Sequence, residues 1–102
     1  MTKQIKGDDF QAEVIESTDT VLVDFFAEWC GPCQGMAPVL DELEADLTDG
    51  HKVVKIDIDE APEIAAKYGV MSIPTFKVFK GGEIINEAMG TKSKGELLAM
   101  MS

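Results

Sequence analysis

The chain has 102 residues, 45% of them hydrophobic, and a mean hydropathy of +0.01. That is enough apolar mass for one core spanning residues 1–102, and too much for a disordered chain. Its 19 acids against 9 bases, all of them lysine, leave a net charge of −10, which argues against an electrostatic grip on nucleic acid or an anionic membrane.

The acids are unevenly spread. Residues 1–51 carry 12 acids and 2 lysines, while residues 52–102 carry 7 of each. A solvated acidic face explains this most simply. It could also repel acidic partners and orient basic ones. No apolar run approaches the roughly 18 residues of a membrane span. The first ten residues lack the apolar stretch of a signal peptide, so the expected compartment is the cytoplasm.

In chain order, Lys3–Lys6 predicts a weak strand. Asp8–Glu16 predicts a short helix with Phe10, Val14 and Ile15 on one face. Val21–Ala27 (VLVDFFA) is rich in strand formers and suits a central strand buried on both faces. Cys33–Leu47 predicts a helix with Met36, Val39, Leu40, Leu43 and Leu47 on its apolar stripe, kinked at Pro38.

Val53–Ile58 predicts the next strand. Asp59 is placed to cap a helix from Glu60 to Tyr68 that ends at Gly69. Thr75–Phe79 and Glu83–Glu87 predict two strands joined by a tight Gly81-Gly82 turn. Ser93 and Glu96 make a capping box for a last helix reaching about Met101. The order βαβαβ, then ββα, predicts an α/β fold with a mixed sheet, parallel first and antiparallel at one edge.

The two cysteines, Cys30 and Cys33, lie where the central strand gives way to a helix, in Trp29-Cys30-Gly31-Pro32-Cys33. Two thiols three residues apart on a first helical turn face one side, near enough to bond. The loop they close is too short to add much stability, so the pair suits reactivity better than scaffolding. Cys30 sits at the helix N-terminus, where free N–H groups and the helix dipole favour a thiolate. Cys33, one turn in, is placed to resolve a mixed disulfide formed at Cys30. Gly31 is expected to permit a tight turn, and Pro32 has no N–H to leave unpaired. Half of a zinc site is the competing reading, but only His51 remains as a nitrogen ligand, and redox chemistry is favoured.

Asp24 is the one charge inside VLVDFFA. On a strand buried on both faces it would lie in the core, where a lone carboxylate keeps its proton. It could then give and accept a proton for Cys33, through water. An edge position facing solvent is the bland alternative. Pro74 directly precedes a strand, and its pattern alone does not predict a cis bond, which about 5–6% of X–Pro bonds adopt.

The strings VDFFAEWCGPC, SIPTF and FKGGE together resemble the thioredoxin family over essentially the whole chain. The resemblance implies a central mixed sheet flanked by four helices. It implies reversible dithiol–disulfide exchange with protein substrates, Cys30 attacking and Cys33 resolving, with no cofactor and no metal beyond the redox-active disulfide. Asp24 matches the family's buried acid, and Lys55 a lysine close to it. Pro74 matches a cis-proline beside the cysteines, where the Ile73 backbone would pair with a substrate strand. Trp29, Pro32, Ile73 and Gly90 match an apolar docking surface, and Pro38 a kinking proline. The implied partners are disulfide proteins and a recharging reductase of nicotinamide–flavin or iron–sulfur type, acting on a monomer.

Two departures stand out. Phe26 stands where members often carry Trp, and Gln34-Gly35 follows a motif usually followed by a basic residue. Losing that cation weakens support for the Cys30 thiolate, and Gly35 costs roughly 1 kcal/mol of helix propensity. Gly31-Pro32 without histidine points to a reducing rather than an oxidising pair. An adaptor that never uses its thiols is the remaining alternative. A double Cys→Ser variant with full biological activity would favour it.

Overall fold

Why Thr20–Phe26 becomes the centre of the molecule follows from its residues. Seven consecutive positions, five of them β-branched or aromatic, are buried without exception, which requires a partner strand on each side and cover on both faces. In the computed structural model, which describes residues Met1–Ser102, this is strand β2. The other strands are β1 (Lys3–Ile5), β3 (His51–Asp57), β4 (Thr75–Lys80) and β5 (Glu83–Met89). The helices are α1 (Gly31–Asp46), α2 (Pro62–Lys67) and α3 (Lys94–Met100).

The sheet order is β1-β3-β2-β4-β5. β1 and β2 run parallel to β3, while β4 runs antiparallel to both β2 and β5. The sheet is therefore mixed, as expected. Helix α2 stands between the two halves, so the full order is βαβαβ, then α, then ββα.

The period-2 alternation of β2 decides what each face holds. Val21, Val23 and Phe25 join Phe10, Val14 and Phe79 in one core cluster. The rings of Phe10, Tyr68 and Phe79 pack there with centroids 5.3–5.6 Å apart. Leu22 faces the other way, into a cluster with Met36, Leu40 and Leu43 of α1 and Leu97 of α3. Asp24 shares the parity of Leu22 and therefore lies under α1.

The expected helix over Asp8–Glu16 is instead a 3-10 turn, Gly7–Asp9, followed by a π-helical turn, Gln11–Ile15. Gly7, Asp8 and Asp9 are poor helix formers, and the Asp9 carboxylate accepts the Lys6 N–H. The Glu16 N–H reaches back to the Gln11 carbonyl at 2.8 Å, the wider turn that accompanies burial of both Phe10 and Val14. Three α-helices and this irregular segment thus flank the sheet.

Asp59 does not cap α2. The helix starts at Pro62 with Ala61 as its N-cap, because the Asp57 carboxylate accepts the Asp59 N–H at 2.8 Å and holds a turn there. Other local signals hold. Gly81 and Gly82 have φ of 60° and 82°, as a two-residue hairpin turn requires. Ser93 and Glu96 close a reciprocal capping box on α3. Pro38 lies inside α1, and the helix continues through it. No helix is long and apolar enough to cross a membrane.

Candidate active site

The strand-to-helix junction after β2 places the cysteines. Phe26 and Ala27 are buried, so the chain cannot turn until Glu28 and Trp29. The Cys30 N–H then bonds the Ala27 carbonyl at 3.2 Å, and Cys30 becomes the N-cap of α1. Its sulfur accepts the Cys33 N–H at 3.2 Å, satisfying one of the donors a helix start leaves free. That same set of donors and the helix dipole favour negative charge on this sulfur once the bond is reduced. The two cysteines are disulfide-bonded with Cα atoms 5.2 Å apart.

Both cysteines are 5% exposed, so burial does not distinguish the thiol one turn into the helix from the one at its start. Their neighbours do. The Cys30 sulfur stands 3.9 Å from the Ile73 carbonyl oxygen. Cys33 lines a small cavity of about 40 Å³ that Asp24, Gln34 and Lys55 also line. Gly31 has no left-handed φ, and a Cβ there would meet nothing within 4 Å, so the turn itself does not require glycine.

Ile73-Pro74 is a cis peptide bond. Pro74 is buried, and its carbonyl accepts the Gly90 N–H at 2.8 Å, which ties the start of β4 to the end of β5. Gly90 has φ of 85°, a backbone conformation that suits glycine. Trp29 is 71% exposed, yet its indole N–H donates to the Asp59 carboxylate at 2.8 Å. The ring is thus tethered beside the disulfide rather than free.

Asp24 is 2% exposed, and its Oδ1 has no hydrogen-bond partner. Burial pushes its pKa up to about 7, against the opposing pull of Lys55. Lys55 is its register neighbour on β3, and Phe76 its neighbour on β4. The Lys55 ammonium lies 5.1 Å from the centroid of the Phe26 ring. Phe26 thus offers the lysine a cation–π contact, and both side chains line the Asp24 cavity.

A family model described as thioredoxin matches residues 1–102. The chain belongs to the thioredoxin family. It is 50% identical over 98 residues to a thioredoxin of Streptomyces clavuligerus, covering 94% of this chain and 89% of that one. It is 50% identical over 93 residues to a thioredoxin of Bacillus subtilis (strain 168), covering 91% and 88%. A Rickettsia felis thioredoxin is 45% identical over 98 residues, covering 96% and 93%. This family member is a protein-disulfide oxidoreductase whose Cys30–Cys33 disulfide fits dithiol–disulfide exchange. The family acts without a cofactor, and disulfide substrates and a reductase are its partners.

The fold brings together Trp29, Cys30, Cys33, Ile73, Pro74, Gly90, Asp24 and Lys55, all named from sequence. It does not bring His51 near them. His51 opens β3, with its imidazole beside Thr48 at 3.3 Å, whereas the other end of that strand pairs with Phe26. A strand of that length spans about 20 Å, so a Cys30/Cys33/His51 metal site does not form. Asp59 was missed as the Trp29 partner, although its place just after β3 was a usable signal. Glu28 and Gln34, which also line the Asp24 cavity, carried no signal in the sequence.

Proposed function

We propose that residues 1–102 act as one monomeric domain that reduces protein disulfides in the cytoplasm. Cys30 attacks the substrate disulfide, Cys33 resolves the mixed disulfide, and Asp24 takes the Cys33 proton. The observation carrying this reading is the asymmetry of the pair's neighbours: Cys30 lies beside the Ile73 carbonyl, and Cys33 shares a cavity with a buried carboxyl.

The electrons and protons balance in two steps. The Cys30 thiolate attacks one substrate sulfur and releases the other as a thiolate. Cys33 gives its proton to Asp24, and its thiolate then attacks the Cys30 sulfur, re-forming the internal disulfide and releasing the second substrate thiolate. Lys55 favours the charged form of Asp24 and so makes it a readier acceptor. Trp29, Pro32, Ile73 and Gly90 form the apolar rim, and the free backbone of Ile73, beside the cis-Pro74 bond, offers strand pairing to the substrate. A β-bulge on the open edge strand β5, together with the net charge, supports the monomer.

Trapping tests the assignment. Cys33→Ser should accumulate mixed disulfides through Cys30, and Cys30→Ser should form none. Equal alkylation of both thiols in the reduced protein would contradict it. Equilibration with a glutathione buffer should give a potential near about −270 mV, and a value above that of glutaredoxins would overturn the reducing direction. Supplying a nicotinamide–flavin and an iron–sulfur reductase in turn tells which type recharges the pair.

A further inference from the structure

The cavity between Asp24 and Cys33 has buried walls and an exposed mouth. Asp24, Phe26, Cys33 and Leu40 are buried, whereas Glu28 and Gln34 are exposed and Lys55 is half-buried. At about 40 Å³ it is large enough to admit water. The unpartnered Oδ1 of Asp24 is the polar atom that admitted water would solvate. What limits that access is therefore a determinant of how basic Asp24 is.

Gln34 is the residue placed to limit it. Its side chain leaves the first turn of α1 and crosses to the β2–α1 loop, where its amide nitrogen donates to the Glu28 carbonyl at 3.2 Å. That bond ties the two sides of the mouth together. From α1, Cys33, Gln34, Ala37 and Leu40 line the cavity, and Gln34 is the one among them with a long polar side chain. Cysteine apart, the charged groups around the carboxyl are Lys55 from β3 and Glu28 from the loop, while β4 presents Phe76.

We propose that Gln34 is a positioning residue: tethered to the Glu28 carbonyl, it roofs the Asp24 cavity and limits how much bulk water reaches the carboxyl. It touches neither substrate nor sulfur in this role and acts through Asp24. The inference rests on the proton-acceptor role proposed for Asp24 only for its kinetic consequence, since solvent access to the carboxyl is measurable by itself.

The test is an NMR titration of the Asp24 carboxyl in the oxidised protein, where no thiol titrates. Gln34→Ala removes the roof, and Gln34→Met keeps a side chain of similar length without the tether. In Gln34→Ala the Asp24 midpoint should move toward the ordinary carboxylate range by about one unit, a roughly tenfold change in its ionisation constant. Gln34→Met should move it less. In single-turnover exchange followed by the fluorescence of Trp29, the pH profile of Gln34→Ala should shift in the same direction. A wild-type Asp24 midpoint in Gln34→Ala overturns the proposal, whatever Gln34→Met does. Asp24→Asn separates the two readings: full speed in that variant would refute the proton-acceptor role while leaving the roof to stand on the titration.

Discussion

Asp24 and Lys77 are buried charges in adjacent strands of the same sheet, and they fare differently. Asp24 on β2 is 2% exposed and Lys77 on β4 is 4% exposed. They lie one register step apart, since Asp24 pairs with Phe76 and Val23 with Lys77. Lys77 runs its long stem along the sheet and delivers its ammonium to Glu87 on β5 at 3.1 Å, where the partner side chain is 62% exposed. Asp24 has one methylene and cannot reach out, and its Oδ1 stays unpaired. The difference teaches that burial by itself does not make a proton-exchanging group. A long stem lets a buried charge find a partner at the surface, and a short one with no donor in reach is left to answer with its pKa.

Replacing Asp24 should give the largest effect. With a folded pKa of about 7 against an ordinary value of 3.8, the folded state binds its proton more tightly than the unfolded chain. Stability therefore falls as pH rises from about 4 to about 7, and stays low above that. The shift corresponds to a penalty of up to about 4 kcal/mol at neutral pH, from roughly 1.4 kcal/mol per unit. Asp24→Asn removes the charge but leaves a buried amide, which offsets part of the gain by about 1–3 kcal/mol. Thermal melts should show the Asp24→Asn variant above wild type at pH 7, with the gap closing toward pH 4, and disulfide exchange should be slower. A variant less stable at pH 7 would show that Asp24 is solvated.

Lys55→Met should sharpen the contrast from the other side. Lys55 is the opposing influence on Asp24, so its loss should raise the Asp24 midpoint above about 7 in the same NMR titration. It should also shift the pH profile of exchange toward higher pH. An unmoved midpoint would mean that Lys55 and Asp24 do not interact.

Glu87→Gln should do least. The pair has an exposed partner, and such pairs contribute about 0–1 kcal/mol. Denaturant unfolding should show a loss within that range. A loss of several kcal/mol would mean that Lys77 depends on Glu87 as completely as a fully enclosed charge would.

Much of this protein was determined by its sequence alone, wherever the signal is local. The continuous apolar run of strand formers in VLVDFFA suited β2 to the centre, and with it Asp24 to the core. Gly81-Gly82 set a hairpin, and Ser93 with Glu96 capped α3, because each depends on backbone conformation within a few residues. The spacing of Cys30 and Cys33 at a strand-to-helix junction specified the redox pair for the same reason. The rest was decided by tertiary structure. The Ile73 carbonyl reaches Cys30 across 43 residues, Trp29 finds Asp59 across 30, and neither pairing has a local pattern. The π-helical turn at Gln11–Ile15 accompanies burial of Phe10 and Val14 against β2 and β4, over the propensity of its own residues. The unpartnered Oδ1 of Asp24 exists only because α1 packs over that face of the sheet, and solvent access to a carboxyl is a property of everything that surrounds it.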